Sequence, residues 1–243
     1  MVRAIRAEMA AVRALYPVAV LDTTQFIIED CIDGEEVAID LYYNGEGRPV
    51  IVNILLHLFG SDKDVSDRVY VTSAEIIRRY RERLKALLAD IGRLANLRNF
   101  PVHAEVRIDG RGRIRPIEVN PMRFGGWCAT DIAHHAYGIN PYLCYFRQQA
   151  PEWDQILAYQ DDRVCALVVL DKPGDVPAER VAAFDYDHLL AHFERPLELR
   201  RIDFREYPVF GFLIVETRAD NMAELEAILR SDLKEFIRLA EFD

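Results

Sequence analysis

The chain has little lysine. Its 30 basic residues are 26 Arg and only 4 Lys, at positions 63, 85, 172 and 234. None of these lysines lies in a glycine-rich stretch, so the chain carries no lysine-bearing phosphate loop of its own. The arginine excess is treated as compositional bias. The four cysteines (31, 128, 144 and 165) stand far apart without a CxxC pair. That excludes a zinc knuckle and a dithiol redox motif, and they are expected to be buried, reduced thiols of a cytoplasmic protein. No apolar run approaches the roughly 20 residues that a membrane span needs, and the N-terminus has no apolar signal-peptide core. A net charge of −10 removes the basic surface that broad nucleic-acid binding requires. Repeats and low-complexity segments are absent too. What is there is ordinary globular material, 243 residues at 51% hydrophobic and 29% charged, enough for one large domain or two small ones.

The most informative stretch runs from Val102 to Gly126. Asp109-Gly-Arg-Gly112 is a tight-turn signal between two runs that alternate polar and apolar residues, which predicts a β-hairpin. A turn centred between Arg111 and Gly112 sets Glu105 opposite Glu118 and His103 opposite Asn120. Side chains two apart share a face. His103, Glu105, Arg107, Glu118 and Asn120 then project together, and Val106, Ile108, Ile117 and Val119 point to the core. Carboxylates directly across an antiparallel pair repel at roughly 5 Å. Two readings relieve them. Arg107, one diagonal step from Glu118, could form an ordinary salt bridge. Alternatively, two carboxylates and the Asn120 amide oxygen form the incomplete oxygen shell that Mg²⁺ takes when phosphates and water fill its other positions.

Glu105, then Glu118-Val-Asn-Pro121 with Arg123 and Gly125-Gly126, resembles the metal-binding hairpin of the ATP-grasp superfamily. Those enzymes couple ATP cleavage to joining a carboxylate with an amine or similar nucleophile, through an acyl phosphate. The resemblance implies that Glu105, Glu118 and Asn120 hold Mg²⁺, or Mn²⁺ in its place, against the ATP phosphates. Arg123 would contact phosphate or the acyl phosphate. Met122 is a departure, since many members have Arg directly after Pro. Upstream, Phe26 to Tyr43 reads as two strand-favouring runs around an Asp33-Gly34 turn. Beside the metal hairpin it resembles the ATP-grasp hinge strand. That implies Glu29 at the adenine amino group, the Cys31 and Ile32 backbone at the ring edge, and Glu36 at the ribose hydroxyls. The implied partners are ATP and small-molecule carboxylate and amine substrates, with neither nucleic acid nor membrane among them.

Around these motifs the reading is coarser. Val2 to Leu15 has helical spacing and ends at Pro17. Pro49–Phe59 predicts a strand and Gly60–Asp67 a polar loop, near which His57 and Lys63 could touch substrate, a structural role being the default for His57. A helix capped by Ser73 carries Ile77, Tyr80, Leu84 and Leu88 on one side. Asp131 and His135, four apart, could pair on a helix face, and Gly125-Gly126 could let backbone approach an anion. Gln148–Glu152 predicts a domain boundary. Beyond it come a strand at 164–170, a helix at 177–193, strands at 197–204 and 209–217, and a helix at 221–239. The predicted fold is α+β: a partial ATP-grasp domain over 1–150, an antiparallel sheet with covering helices, and a small β-α-β-β-α unit over 151–243. That unit could dock on the ATP domain or on a second copy in a homodimer. The resemblance covers only the C-terminal half of an ATP-grasp unit. The expectation is a ligase incomplete without an N-terminal half, or else a non-catalytic nucleotide-binding remnant or interaction module.

Overall fold

The computed structural model describes residues 29–61, 64, 66–126, 128–160 and 162–240. Contacts divide the chain into two compact units, Met1–Ile32 and Asp33–Asp243. In the first, only Glu29–Ile32 are described, and they carry no regular structure.

The second unit is built on an eight-stranded antiparallel sheet. Its strands in chain order are β1 (Glu35–Tyr43), β2 (Pro49–Leu58), β3 (Val69–Ser73), β4 (Phe100–Ile108), β5 (Ile114–Pro121), β6 (Arg163–Asp171), β8 (Arg195–Arg201) and β9 (Val209–Arg218). Their spatial order is β5-β4-β1-β2-β3-β6-β9-β8. A separate two-stranded ribbon joins β7 (Val181–Phe184) to β10 (Ile237–Leu239).

Strand β1 lies inside the sheet and is buried on both faces. Val37, Ile39, Leu41 and Tyr43 pack with Ile77, Tyr80, Leu84 and Leu88 of helix α1 (Ala74–Leu94). Ala38 points the other way, into a cluster with Leu55, Leu167, Val169 and the start of helix α2 (Ala129–Tyr137). That second face carries the candidate site. Helices α3 (Pro141–Arg147) and α4 (Trp153–Ala158) follow α2, while α5 (Tyr186–Leu190) and α6 (Ala223–Arg230) lie later in the chain. At the start of α1, Ser73 accepts a hydrogen bond from the Ile76 amide at 3.3 Å. Ser73→Ala should cost about 1 kcal/mol, readable as a lowered denaturation midpoint at an unchanged m-value.

Several expectations need correction. Residues 29–32 form no hairpin arm with β1, and Phe26–Ile28 lie outside the described residues. The reason is occupancy, because β2 and β4 already pair with the two edges of β1. Ile117 and Val119 do not enter the core and are 45% and 39% exposed. Strand β5 is the sheet's edge, and the core cluster takes only Ile114 from it. The predicted helix at 177–193 is instead a 3-10 turn, β7 and α5, because Val181–Phe184 pair with Ile237–Leu239 and Asp185 caps α5 through the His188 amide. The predicted helix at 221–239 stops at Arg230. Leu233 then takes a left-handed φ of 61°, and a 3-10 turn and β10 follow. Of the cysteines, only Cys165 is buried; Cys31 is exposed. The sequence places a boundary at Gln148–Glu152, yet β3 pairs with β6 from Val69↔Val168 to Ser73↔Val164. Strands from both sides of that point therefore form one sheet. Among the described residues no helix is long and apolar enough to cross a membrane.

Candidate functional site

The register across β4 and β5 sets Glu105 against Glu118 and His103 against Asn120. It holds there because of a bulge. Val106 pairs with Pro116, which leaves Ile117 as an extra residue on the edge strand. Arg107, the alternative partner of the pair, turns to Glu36. Its Nε and Nη2 donate to Glu36 Oε2 at 3.0 and 2.9 Å.

Relief comes from a buried histidine. His103 Nε2 lies 3.2 Å from Glu105 Oε1, and its Nδ1 lies 2.8 Å from Asp40 Oδ1. Burial would push the imidazole pKa down. The hydrogen bonds and charges of Asp40 and Glu105 outweigh it and raise the value to about 9. The ring is therefore an imidazolium held between two carboxylates at neutral pH. Asp40, which is 1% exposed, also accepts the Gly125 amide at 2.7 Å. One carboxylate thus ties the hairpin to the loop that follows it. Gly125 is required there, since a Cβ would meet Ala129 Cβ at 2.8 Å and the His103 ring at 3.1 Å.

These groups face a cavity of about 470 Å³. Glu105, Glu118, Arg123 and His103 line one end of it, and Leu55, Tyr70, Leu167 and Val169 are also in its wall. Arg123 arrives there despite the extra Met122. The Met122 backbone turns through a left-handed φ of 62°, a region few non-glycine residues enter.

The other expected residues are placed as follows. Glu29 and Cys31 are exposed and Ile32 is partly buried. Glu36 is mostly buried, with Oε1 2.8 Å from His57 Nδ1 and Oε2 on Arg107. Burial alone would raise the Glu36 carboxyl, and the bonds from His57 and Arg107 hold it below the usual range. His57 is a packed residue, stacked on Tyr70 at 4.2 Å and bonded through Nε2 to the Ser66 carbonyl at 2.9 Å. Lys63 lies outside the described residues. Asp131 and His135 do not pair with each other. They reach β8, at Arg200 (2.8 Å) and Glu198 (2.8 Å). Sequence reasoning missed Asp40, Tyr70, Leu167 and Val169. The only available signal for Asp40 was a carboxylate in an otherwise apolar strand.

A family profile described as an ATP-grasp domain matches residues 1–131. The chain belongs to the ATP-grasp family. No curated protein matches its sequence. Solved structures do share its fold. An L-amino acid ligase from Bacillus licheniformis aligns over 88% of this chain and 53% of its own, at 17% identity and a TM-score of 0.57. Phosphoribosylglycinamide synthetase from Anaerococcus prevotii aligns over 87% and 54%, at 11% identity and a TM-score of 0.57. Biotin carboxylase from Campylobacter jejuni, solved as a βγ-ATP complex, aligns over 87% and 48%, at 12% identity and a TM-score of 0.56. The chain spans about half the length of these neighbours.

For the divalent cation that ATP-grasp membership implies, the donor set fits in part. Among the described residues no three His, Cys, Asp or Glu side chains converge as a cage. Two facing carboxylates with an amide suit Mg²⁺, which keeps open positions for phosphates and water. The Asn120 Nδ2 atom is buried without a partner. Because the two ends of an amide exchange by a half turn, Asn120 can offer either an oxygen to a cation or an N–H to a phosphate.

Proposed function

We propose that this ATP-grasp chain forms the Mg-ATP-binding part of an ATP-dependent ligase that activates a carboxylate for attack by an amine or similar nucleophile. The observation that carries the reading is Glu105 directly opposite Glu118, beside the buried, unpartnered Asn120 Nδ2, on a cavity that Arg123 also lines. His103 meets only the Glu105 side of the pair, and carboxylates that face each other across two strands are otherwise unfavourable. Glu105, Glu118 and Asn120 would hold the divalent ion, which when bound neutralises phosphate charge. The Arg123 guanidinium presents a planar fork suited to phosphate or carboxylate oxygens. His103 holds one oxygen of Glu105 and would leave the other for the ion. Glu29 and the backbone of Cys31 and Ile32 would meet adenine. Glu36 would meet the ribose; both its oxygens are engaged already, but carboxylate oxygens accept more than one hydrogen bond. Phosphoryl transfer depends chiefly on such positioning and on neutralising charge.

The test is Glu118→Gln. Glu118 is exposed, so without metal the variant should melt within about 0.5 kcal/mol of the parent. Saturating Mg-ATP should stabilise the parent by roughly 2–3 kcal/mol at a hundredfold excess over Kd, and the variant by far less. Full Mg-ATP stabilisation of Glu118→Gln would overturn the metal assignment.

A further inference from the structure

The cavity changes character along its length. The β4–β5 end carries carboxylates, imidazolium and Arg123. The other end is aliphatic, built from Leu55 on β2 and Leu167 and Val169 on β6. The sheet makes that end continuous. Tyr70 faces Leu167 across the β3–β6 pair, and Cys165, Leu167 and Val169 share one face of β6 while Val164, Ala166 and Val168 pack on the opposite one. Leu167 and Val169 lie outside the segment matched to the ATP-grasp domain. The β6 part of this wall is therefore contributed by the rest of the chain.

A phosphate gains nothing from an aliphatic wall and loses hydration against it. Phosphate charge belongs at the Arg123 end, so the apolar end is left for the body of the molecule that meets it. Asp67 also lines the cavity, exposed, and accepts a hydrogen bond from the Tyr70 hydroxyl at 2.7 Å. A second negative charge there would face a fixed carboxylate, which is selection by repulsion.

We propose that the second substrate of this site is a small carboxylic acid with an aliphatic body and a single negative charge. Its carboxylate turns to Arg123, its body lies on Leu55, Leu167 and Val169, and Asp67 disfavours dicarboxylates. The cavity volume lies in the range of small-molecule sites. The assignment rests on the ligase reading, which makes one end of the cavity the phosphate end.

The experiment uses the full chain with labelled Leu and Val methyl groups, in the presence of Mg-ADP. Titration with 4-methylpentanoate should shift the Leu55, Leu167 and Val169 methyl signals saturably, and succinate should bind at least tenfold more weakly. Asp67→Asn should narrow that gap. Leu167→Trp, its fold checked by its own methyl spectrum, should abolish the response at Leu55 and Val169. Succinate binding as tightly as 4-methylpentanoate, or no shift of these methyls with any acid, overturns the proposal. Failure of the ligase reading is seen separately, as a missing thermal shift with Mg-ADP alone, and the methyl response reports on the aliphatic end in either case.

Discussion

Asp40→Asn should destabilise the metal-free protein strongly near neutral pH, and the loss should fade as pH rises. The His103 imidazolium is raised from 6.5 to about 9 by Asp40 and Glu105 against the opposing pull of burial. A folded-state pKa above the unfolded one gives stability that is fully present below about 6.5 and is lost as pH climbs through about 9. The size of the shift corresponds to on the order of 3 kcal/mol. The asparagine still offers Gly125 an oxygen but withdraws the charge that holds the imidazolium. Thermal melts of parent and variant between pH 6 and 10, without metal, should show a large gap at the acid end that closes by the alkaline end. A gap that stays constant across that interval would reject the charge-holding role. Asp40→Ala should be worse still, costing about 3–5 kcal/mol in all, because it leaves a buried cation half paired and the Gly125 amide without its acceptor.

The second large effect runs against helix propensity. Gly92 lies within α1, where alanine normally gains about 1 kcal/mol. Here a Cβ would stand 2.2 Å from Cε1 and 2.6 Å from Cδ1 of Tyr43. That ring is fully buried and its hydroxyl donates to the Leu88 carbonyl at 2.8 Å, so it has no room to yield. Overpacking of this kind costs about 3 kcal/mol. Gly92→Ala should therefore lose about 2 kcal/mol net, a fall in Tm of roughly 5 °C. A melting point at or above that of the parent would show that the Tyr43 ring can move.

The hairpin was the most legible part of the sequence, because a turn signal between alternating runs announces the strand pair. The register it sets is one residue off at the tip, where Ile108 pairs with Ile114, and is right at Glu105 only beyond the bulge. The sequence alone sets Glu105 opposite Glu118, as the strands do. It failed for Ile117 and Val119 because alternation says which face a residue takes, not whether a helix covers that face. The same limit hid Asp40 and His103. Their pairing follows from β1 lying beside β4, a long-range neighbour that no local pattern announces. Val181, Phe184, Leu189 and Phe193 do share one core, as a helical spacing demands. A short strand followed by a five-residue helix satisfies that spacing equally well, and the strand had a partner in Ile237–Leu239. Leu167 and Val169 were invisible as site residues because they sit in a strand buried on both faces, which reads as plain core.

The extra residue at Ile117 separates two things that a regular hairpin would lock together. If the pairing of Val106 with Pro116 ran on unbroken, Glu118 would fall opposite Ala104 and Asn120 opposite Val102, turned to the core face. The bulge absorbs that offset between the tip and the site. The tip, closed by the Gly112 amide on the Asp109 carbonyl at 2.8 Å, can therefore gain or lose residues without steering the carboxylates. An insertion between Ile117 and Glu118, by contrast, would turn both site residues over at once. Tolerance to length change should then be highly uneven within a dozen residues, generous at Gly110 and absent at the bulge.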